Sequence, residues 1–308
     1  MRGIMRTGNR KDKNNGRWHL SSQLCYHGMV MPGMIFLLLF QFIPMFGLIM
    51  AFQDYKPAKG FRGSDFVGLK HFRYLFEIPD GFQIFRNTLV ISIGKIVLGI
   101  TIAVMFAILL NEIRIKWMKK MIQTIVYLPH FLSWVVLATA VRNLFGLDGA
   151  INAFFGSSLN FLGSNMLFQP LLIGTDVWKE FGYNSVVFLA ALTSIDPGLY
   201  EAAQIDGANW WKRTFHITLP GIQPVIFLMT AMAMGNILNA GFDQVYNLYS
   251  ASVYETGDII DTYVYRVGLN SMQYSFATAI SLMKSVIAFI LMISANALSR
   301  KITHSRIF

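Results

Sequence analysis

Six ionisable side chains stand inside otherwise apolar stretches of the sequence: the cations Lys95, Arg142, Lys179 and Lys284, and the carboxylates Asp176 and Glu180. An ion in a hydrocarbon setting is costly, so it pairs with another charge or faces a wet path. Asp176 or Glu180 with Lys95 or Lys284 could form ion pairs that hold helices together. The same groups could instead line a polar route, and the count leaves two cations over, a surplus suited to an anionic ligand. Both readings stay open. Neither is covalent chemistry, and phosphate chemistry is not encoded either: no Gly-x-x-x-x-Gly-Lys-Ser/Thr run occurs. Gly94-Lys95 comes nearest and lacks both the upstream glycine and the following hydroxyl, so no nucleotide cradle of that kind exists. Cys25 is the single cysteine, which excludes an internal disulfide and a multi-cysteine metal site.

The elements that must hold these charges are membrane spans. Hydrophobic residues make up 54% of the 308-residue chain and charged residues 14%, against roughly 25% charged in ordinary soluble domains. Several apolar runs reach the roughly 20 residues needed to cross a bilayer core. The sequence predicts an all-α integral membrane protein with six spans, at 28–52, 88–111, 121–145, 167–195, 222–242 and 276–299. The first follows a polar, basic segment without a small-residue cleavage site, and reads as an uncleaved span rather than a signal peptide. The fourth carries a polar interruption, Asp176 to Asn184.

With the N-terminus inside, the inner segments hold 15 Lys and Arg and the outer segments 7. That bias predicts two cytoplasmic tails, 1–27 and 300–308, around a six-helix transmembrane domain at 28–299. It also accounts for most of the net charge of +10, and nucleic-acid binding is set aside. The outer loop 53–87 contains Phe66, Leu69, Phe72, Leu75 and Phe76 at helical spacing, which predicts a short amphipathic helix. At about 1.5 Å per residue, Glu180 lies roughly 23 Å from the inner end of its span, and Lys95 and Lys284 about 10–12 Å from the outer ends. The charges then form an outward vestibule above a drier gate.

The segment 196–220 falls between spans four and five, on the inner side. Asp196-Pro197 suits a helix start, since Asp accepts free backbone N–H groups and Pro fits the first helical position. A short helix from Leu199 to Ile205 should stop at Gly207. A second should run from Ala208 to about Phe215, with Leu219-Pro220 ending the unit. The small residues Ala202, Ala203 and Ala208 would let another protein approach closely.

This segment resembles the EAA loop of permease subunits from binding-protein-dependent ABC importers. Glu201, Ala202 and Ala203, then Gly207, then Ile217, Leu219 and Pro220 fill the marked positions at the expected spacing. The resemblance implies a MetI-like, type I importer core in the bacterial inner membrane. It also implies that Glu201, Ala202, Ala203, Asp206, Gly207, Ala208, Phe215, Ile217, Leu219 and Pro220 couple the chain to an ATPase. Three further runs, 241–249, 254–266 and 274–279, resemble the LplB-type branch of carbohydrate permeases. That branch implies oligosaccharide cargo, including uronates. The implied partners are a second permease in a heterodimer, two cytoplasmic ATP-binding subunits that hold ATP and Mg, an extracytoplasmic sugar-binding protein, and membrane lipid. The chain itself would hold no cofactor or metal and catalyse no reaction.

For a sugar, aromatic faces beside amides and charges are the expected chemistry. Trp178, Lys179, Glu180, Tyr183 and Asn184 on span four, Asn236, Asn239 and Asp243 around the end of span five, and Arg142 supply those types. The bland alternatives are interhelical hydrogen bonds for the Asn residues and interfacial belt positions for Trp and Tyr. Met229, Met232 and Met234 read as packing. Rival functions are a non-sugar cargo, an ion-coupled secondary transporter, and a membrane scaffold. The secondary transporter leaves the Glu-Ala-Ala loop unexplained, and such folds often carry internal repeats, which the sequence does not show.

Overall fold

A computed structural model describes residues 15–303. The basic residues Arg2, Arg6, Arg10, Lys11, Lys13 and Arg306, on which part of the tail assignment rests, lie outside the described residues. The chain divides into two compact units at the Met50–Ala51 boundary. Five helices are long and apolar enough to cross a membrane, and six when one bent pair is counted as a single span.

In the first unit, α1 (Asn15–Leu37) passes through a π-turn, Leu38–Phe42, into Ile43–Met45 and a 3-10 turn, Phe46–Phe52. The long apolar stretch is Gln23–Phe52, five residues longer than the predicted span. Pro44 accounts for the π-turn. Its ring would press on the carbonyl of Phe40, and a wider turn relieves that contact.

The second unit opens with a two-residue antiparallel pairing of Gln53–Asp54 with Asp65–Phe66. The surface helix α2 spans Lys70–Glu77. Phe66 therefore belongs to the pairing, not to the predicted helix, and Phe76 is 80% exposed while Leu75 is buried. Helix α3 (Pro79–Glu112) begins nine residues before the expected start, with Pro79 at its first position after an extended Ile78.

The third predicted span is not one helix. Helix α4 (Lys116–Tyr127) leads to a 3-10 turn, Leu128–Phe131, and helix α5 restarts at Trp134–Phe145. Pro129 and the extended Leu132 break the run, and the Ser133 hydroxyl caps α5 by accepting from Val136 N. Helix α6 (Ala150–Phe155) follows. Helix α7 (Asn165–Leu192) runs unbroken through the polar stretch that the sequence marked as an interruption. Helix α8 (Pro197–Ile205) leaves it at 76°.

The segment after α8 also differs from expectation. Helix α9 (Trp210–Arg213) continues through a π-turn, Thr214–Thr218, into α10 (Leu219–Gly235), so Leu219-Pro220 does not end the unit. The π-turn covers His216, the residue whose carbonyl Pro220 would otherwise meet, and the helix bridges the proline. Helix α10 stops at Gly235, short of the predicted Phe242. Helices α11 (Phe242–Leu248) and α12 (Ile260–Tyr265) precede the last span, α13 (Tyr274–Thr303).

Helices α3 and α7 pack along their length. Gly94 admits Ile173, whose side chain would lie 2.5 Å from any Cβ there. At one end Ala103, Ala107, Phe188, Leu192 and Ile222 form a core with α10. At the other, Ile91, Phe168, Leu172, Val245 and Ile259 form a second. The 53–78 and 243–273 segments meet in a core of Leu75, Ile260, Tyr263 and Phe276, with Tyr55 N donating to Ser275 Oγ of α13 at 2.8 Å and Ile260 N to Thr88 Oγ1 of α3 at 3.0 Å. Gly182 of α7 lies under the Val126 carbonyl of α4, 2.5 Å from where a Cβ would stand. Gly182→Val is therefore expected to cost about 1–3 kcal/mol through overpacking, seen as a lower thermal midpoint of the detergent-solubilised protein.

Candidate functional site

Two regions carry the residues singled out by the sequence. The first is a groove of about 380 Å³ between α3, α7 and the end of α10, lined by Ser92, Lys95, Asp176, Glu180, Asn184, Asn236 and Asn239. Its floor is built on a break in the fifth span. The chain leaves α10 at Gly235, and Gly241 takes φ +93°, a conformation that favours glycine. Lys95 closes this break. Its ammonium donates to Asp176 Oδ1 at 3.1 Å, to the Ala240 carbonyl at 2.7 Å and to Gln244 Oε1 at 2.5 Å. An ammonium has three donors, so Lys95 is fully engaged. Gln244, wholly buried, donates in turn to the Leu172 carbonyl at 2.7 Å and to Thr175 Oγ1 at 2.8 Å.

Lys284 works at the rim. It donates to Asp261 Oδ1 at 2.5 Å and to Asn239 Oδ1 at 2.8 Å, and Asn239 Nδ2 donates to Asn236 Oδ1 at 3.3 Å. The two Asn amides are thus oriented from α13. The pairing also corrects the charge count: Lys284 is neutralised by Asp261 of the 243–273 segment, so two free cations do not face the groove. Arg142 is elsewhere, donating to the Asn247 carbonyl at 2.5 Å.

Glu180, Asn184, Asn236 and Asn239 come together as proposed for a polar path. Met229 and Met232, read as packing, line the same groove. Trp178 does not reach it and lines an apolar slot between α5 and α7. Lys179 is buried, donating at 2.8 Å to the His130 carbonyl and to Glu180 Oε1. Tyr183 stacks on His130 at 3.9 Å, and Asp243 is exposed on α11.

Sequence reasoning missed three groove-related residues. Ser92, beside the groove, is buried with a hydroxyl that has no partner among the described residues. His130 and Gln244 are polar residues in apolar surroundings. His130 was legible as a polar ring behind Pro129 inside an apolar run, and Gln244 lies in the 241–249 run.

At the other end, α8 forms an elbow with α9. The Asp196 carboxylate accepts from Gly198 N at 2.9 Å. The helix closes with Gly207 at φ +73°, Gly207 N donating to Gln204 O at 3.1 Å and Ala208 N to Ala203 O at 2.8 Å. Asn209 caps α9 by accepting from Lys212 N. Two bonds tie the elbow to the spans: Tyr200 OH with Thr218 Oγ1 at 3.0 Å, and Trp210 Nε1 donating to Glu112 Oε1 at 3.1 Å. Glu201, Ala202, Asp206, Gly207, Phe215 and Pro220 are exposed, whereas Ala203, Ala208, Ile217 and Leu219 are half-buried. Exposed Leu199, Ile205 (88%) and Trp211 (61%) extend the surface beyond the residues chosen from sequence. Apolar side chains grouped this way mark an interaction surface.

The 243–273 segment holds its own ion pair. Arg266 donates to Asp258 Oδ2 at 2.5 Å and packs over the Tyr254 ring, 4.0 Å from its centre. Burial pushes the Asp258 carboxyl up, with Thr262 and Arg266 pulling the other way. Burial, followed by the neighbouring Tyr254 and Asp258, pushes the Tyr249 phenol up to about 12. Among the described residues, no group of three His, Cys, Asp or Glu is placed to hold a metal.

Residues 95–304 match the family described as binding-protein-dependent transport system inner membrane component. The YteP permease protein of the polygalacturonan/rhamnogalacturonan transport system of Bacillus subtilis is 41% identical over 285 residues, covering 91% of this chain and 89% of the relative. Protein LplB of the same organism is 38% identical, covering 91% and 90%. Among solved structures, a chain of a bacterial ABC transporter involved in import of the acidic polysaccharide alginate superposes with a TM-score of 0.85 at 36% identity, covering 94% of this chain and all of that one. The bacterial alginate ABC transporter in complex with alginate pentasaccharide-bound periplasmic protein gives 0.83 at 37%, covering 94% and 98%.

Proposed function

The chain belongs to the binding-protein-dependent transport system inner membrane components, and from that premise we propose that it is the permease of an ABC importer for acidic oligosaccharides of the uronate type. The observation that carries this reading is likeness along nearly the whole chain, at 36–41% identity, to a polygalacturonan/rhamnogalacturonan permease and an alginate importer. The groove supports it chemically. Amides at Asn184, Asn236 and Asn239 suit sugar hydroxyls, and both groove carboxylates are paired.

In this mechanism a loaded extracytoplasmic sugar-binding protein docks where the 53–78 and 243–273 segments meet. A second, different permease completes the pore. Two cytoplasmic ATP-binding subunits hold ATP and Mg and carry out hydrolysis, while this chain binds neither. Their closure pushes on the 196–220 elbow, and the Tyr200–Thr218 and Trp210–Glu112 bonds pass that motion to α10 and α3. In this reading the Lys and Arg bias of the sequence makes the 1–27 and 300–308 tails cytoplasmic. The groove opens outward, takes the sugar from the binding protein, and releases it inward after hydrolysis.

Uptake of a galacturonate oligomer and of a neutral galactose oligomer of equal length, by cells making the complete transporter, tests the reading. We expect the anionic chain to enter at least about tenfold faster, the equivalent of about 1.4 kcal/mol. Equal uptake, or preference for the neutral chain, rejects acidic cargo.

A further inference from the structure

Glu180 is the groove carboxylate that Lys95 does not bond, and its surroundings are built to cover it. Lys179 donates to Oε1 at 2.8 Å. His130 Nδ1 stands 2.6 Å from Oε2, and because an ionised carboxylate only accepts, Nδ1 carries the proton. Lys179 also donates to the His130 backbone carbonyl at 2.8 Å, so one ammonium fixes both the carboxylate and the residue that caps its other oxygen. The His130 ring is held flat against Tyr183, at 3.9 Å and 1° between planes, which sets the direction of the Nδ1–H bond. Lys179 itself sits 5.9 Å from the centre of the Trp134 ring. All of this is assembled where α4 gives way to α5. The break in the third span thus presents a histidine to α7.

We propose that His130 is a specificity-determining residue that masks the Glu180 carboxylate from anionic sugars in the groove. The proposal rests on the acidic-oligosaccharide reading above. An acidic sugar passing Asn184 and Asn236 lies beside Glu180 on the groove wall. With both oxygens engaged, the carboxylate offers no free lone pair on its capped sides and is charge-balanced by Lys179. With Oε2 released, the side chain can turn into the groove and repel a uronate. A neutral sugar does not meet that repulsion and can accept the carboxylate as a hydrogen-bond partner. The masking role therefore predicts a change in selectivity, not a general loss.

The test is uptake of the two oligomers of equal length by the complete transporter, normalised to protein in the membrane. His130→Phe keeps a ring for Tyr183 and removes the donor. It is expected to lower the anionic-to-neutral uptake ratio at least about tenfold, which is less than the full cost of one like-charge contact at an effective dielectric near 20. His130→Asn, whose amide nitrogen stands where Nδ1 does, is expected to keep the ratio within about threefold of the parent. His130→Phe/Glu180→Gln, in which no charge needs covering, is expected to regain it. If His130→Phe does not reach the membrane, His130→Leu is read against its own Glu180→Gln double variant in the same way. An equal fall for both oligomers, or no recovery in the double variant, overturns the masking role alone. A parent transporter that prefers the neutral oligomer overturns the cargo reading first, and the masking role with it.

Discussion

Glu201→Lys and Gly207→Asp are each expected to leave the protein in the membrane, strip it of its ATPase during purification, and abolish ATP-driven uptake. Glu201 projects from α8 beside exposed Ala202, and the elbow carries Leu199, Ile205 and Trp211 in the open. Such a surface concentrates binding energy in a few central positions, where one poor substitution costs about 2 kcal/mol or more. That is about thirtyfold in association. Reversing the charge at Glu201 changes only that surface, because its backbone is ordinary helix. Gly207 is different. Its φ of +73° closes α8, and aspartate is among the residues that tolerate the left-handed region best. The elbow should keep its shape in Gly207→Asp and gain a carboxylate at its tip. Co-purification of the ATPase at parental levels, together with normal uptake, would reject a coupling role for 196–220.

Lys95→Met is expected to be the most destabilising single change in the groove. It leaves Asp176 charged without its partner and removes the donor from the Ala240 carbonyl and Gln244 Oε1 together. Breaking a buried pair from one side costs about 3–5 kcal/mol. Lys95→Met/Asp176→Leu removes both charges and is expected to recover most of that loss. A double-mutant cycle on thermal unfolding of the detergent-solubilised protein measures the coupling, which should exceed about 1 kcal/mol for groups in direct contact. Additive effects would mean that Lys95 and Asp176 do not stabilise one another.

Features set by neighbouring residues were legible in the sequence. Asp196-Pro197 and Gly207 mark both ends of α8 within two residues, because caps and left-handed glycines act locally. The six-span count also holds once the bent α7–α8 pair is taken as one span. What failed depends on distance or on averaging. The apolar run through 121–145 hides the break at Leu132, because hydropathy registers composition and not hydrogen bonding. Pro220 looked like a stop, yet the π-turn before it absorbs the ring. The partner of Lys284 is Asp261, from the 243–273 segment, and no spacing rule connects them. Lys95–Asp176 was foreseen as one of several pairings, but its third and fourth members, Ala240 and Gln244, lie about 145 residues away. His130 sits in an apolar run 50 residues from Glu180, and no local spacing links the two.

The π-turn at Thr214–Thr218 sets which way the elbow looks. Leu219 N donates to Thr214 O, five residues back, so this turn holds one residue more than a regular helix would. One residue is about 100° of rotation about the axis. Everything on the α9 side, including Trp211 and Phe215, is therefore swung by about that angle from where an uninterrupted helix would aim it, while α10 keeps its packing against α3 and α7. The compass bearing of the exposed elbow surface is fixed by a single surplus residue, held in place by the proline that follows it.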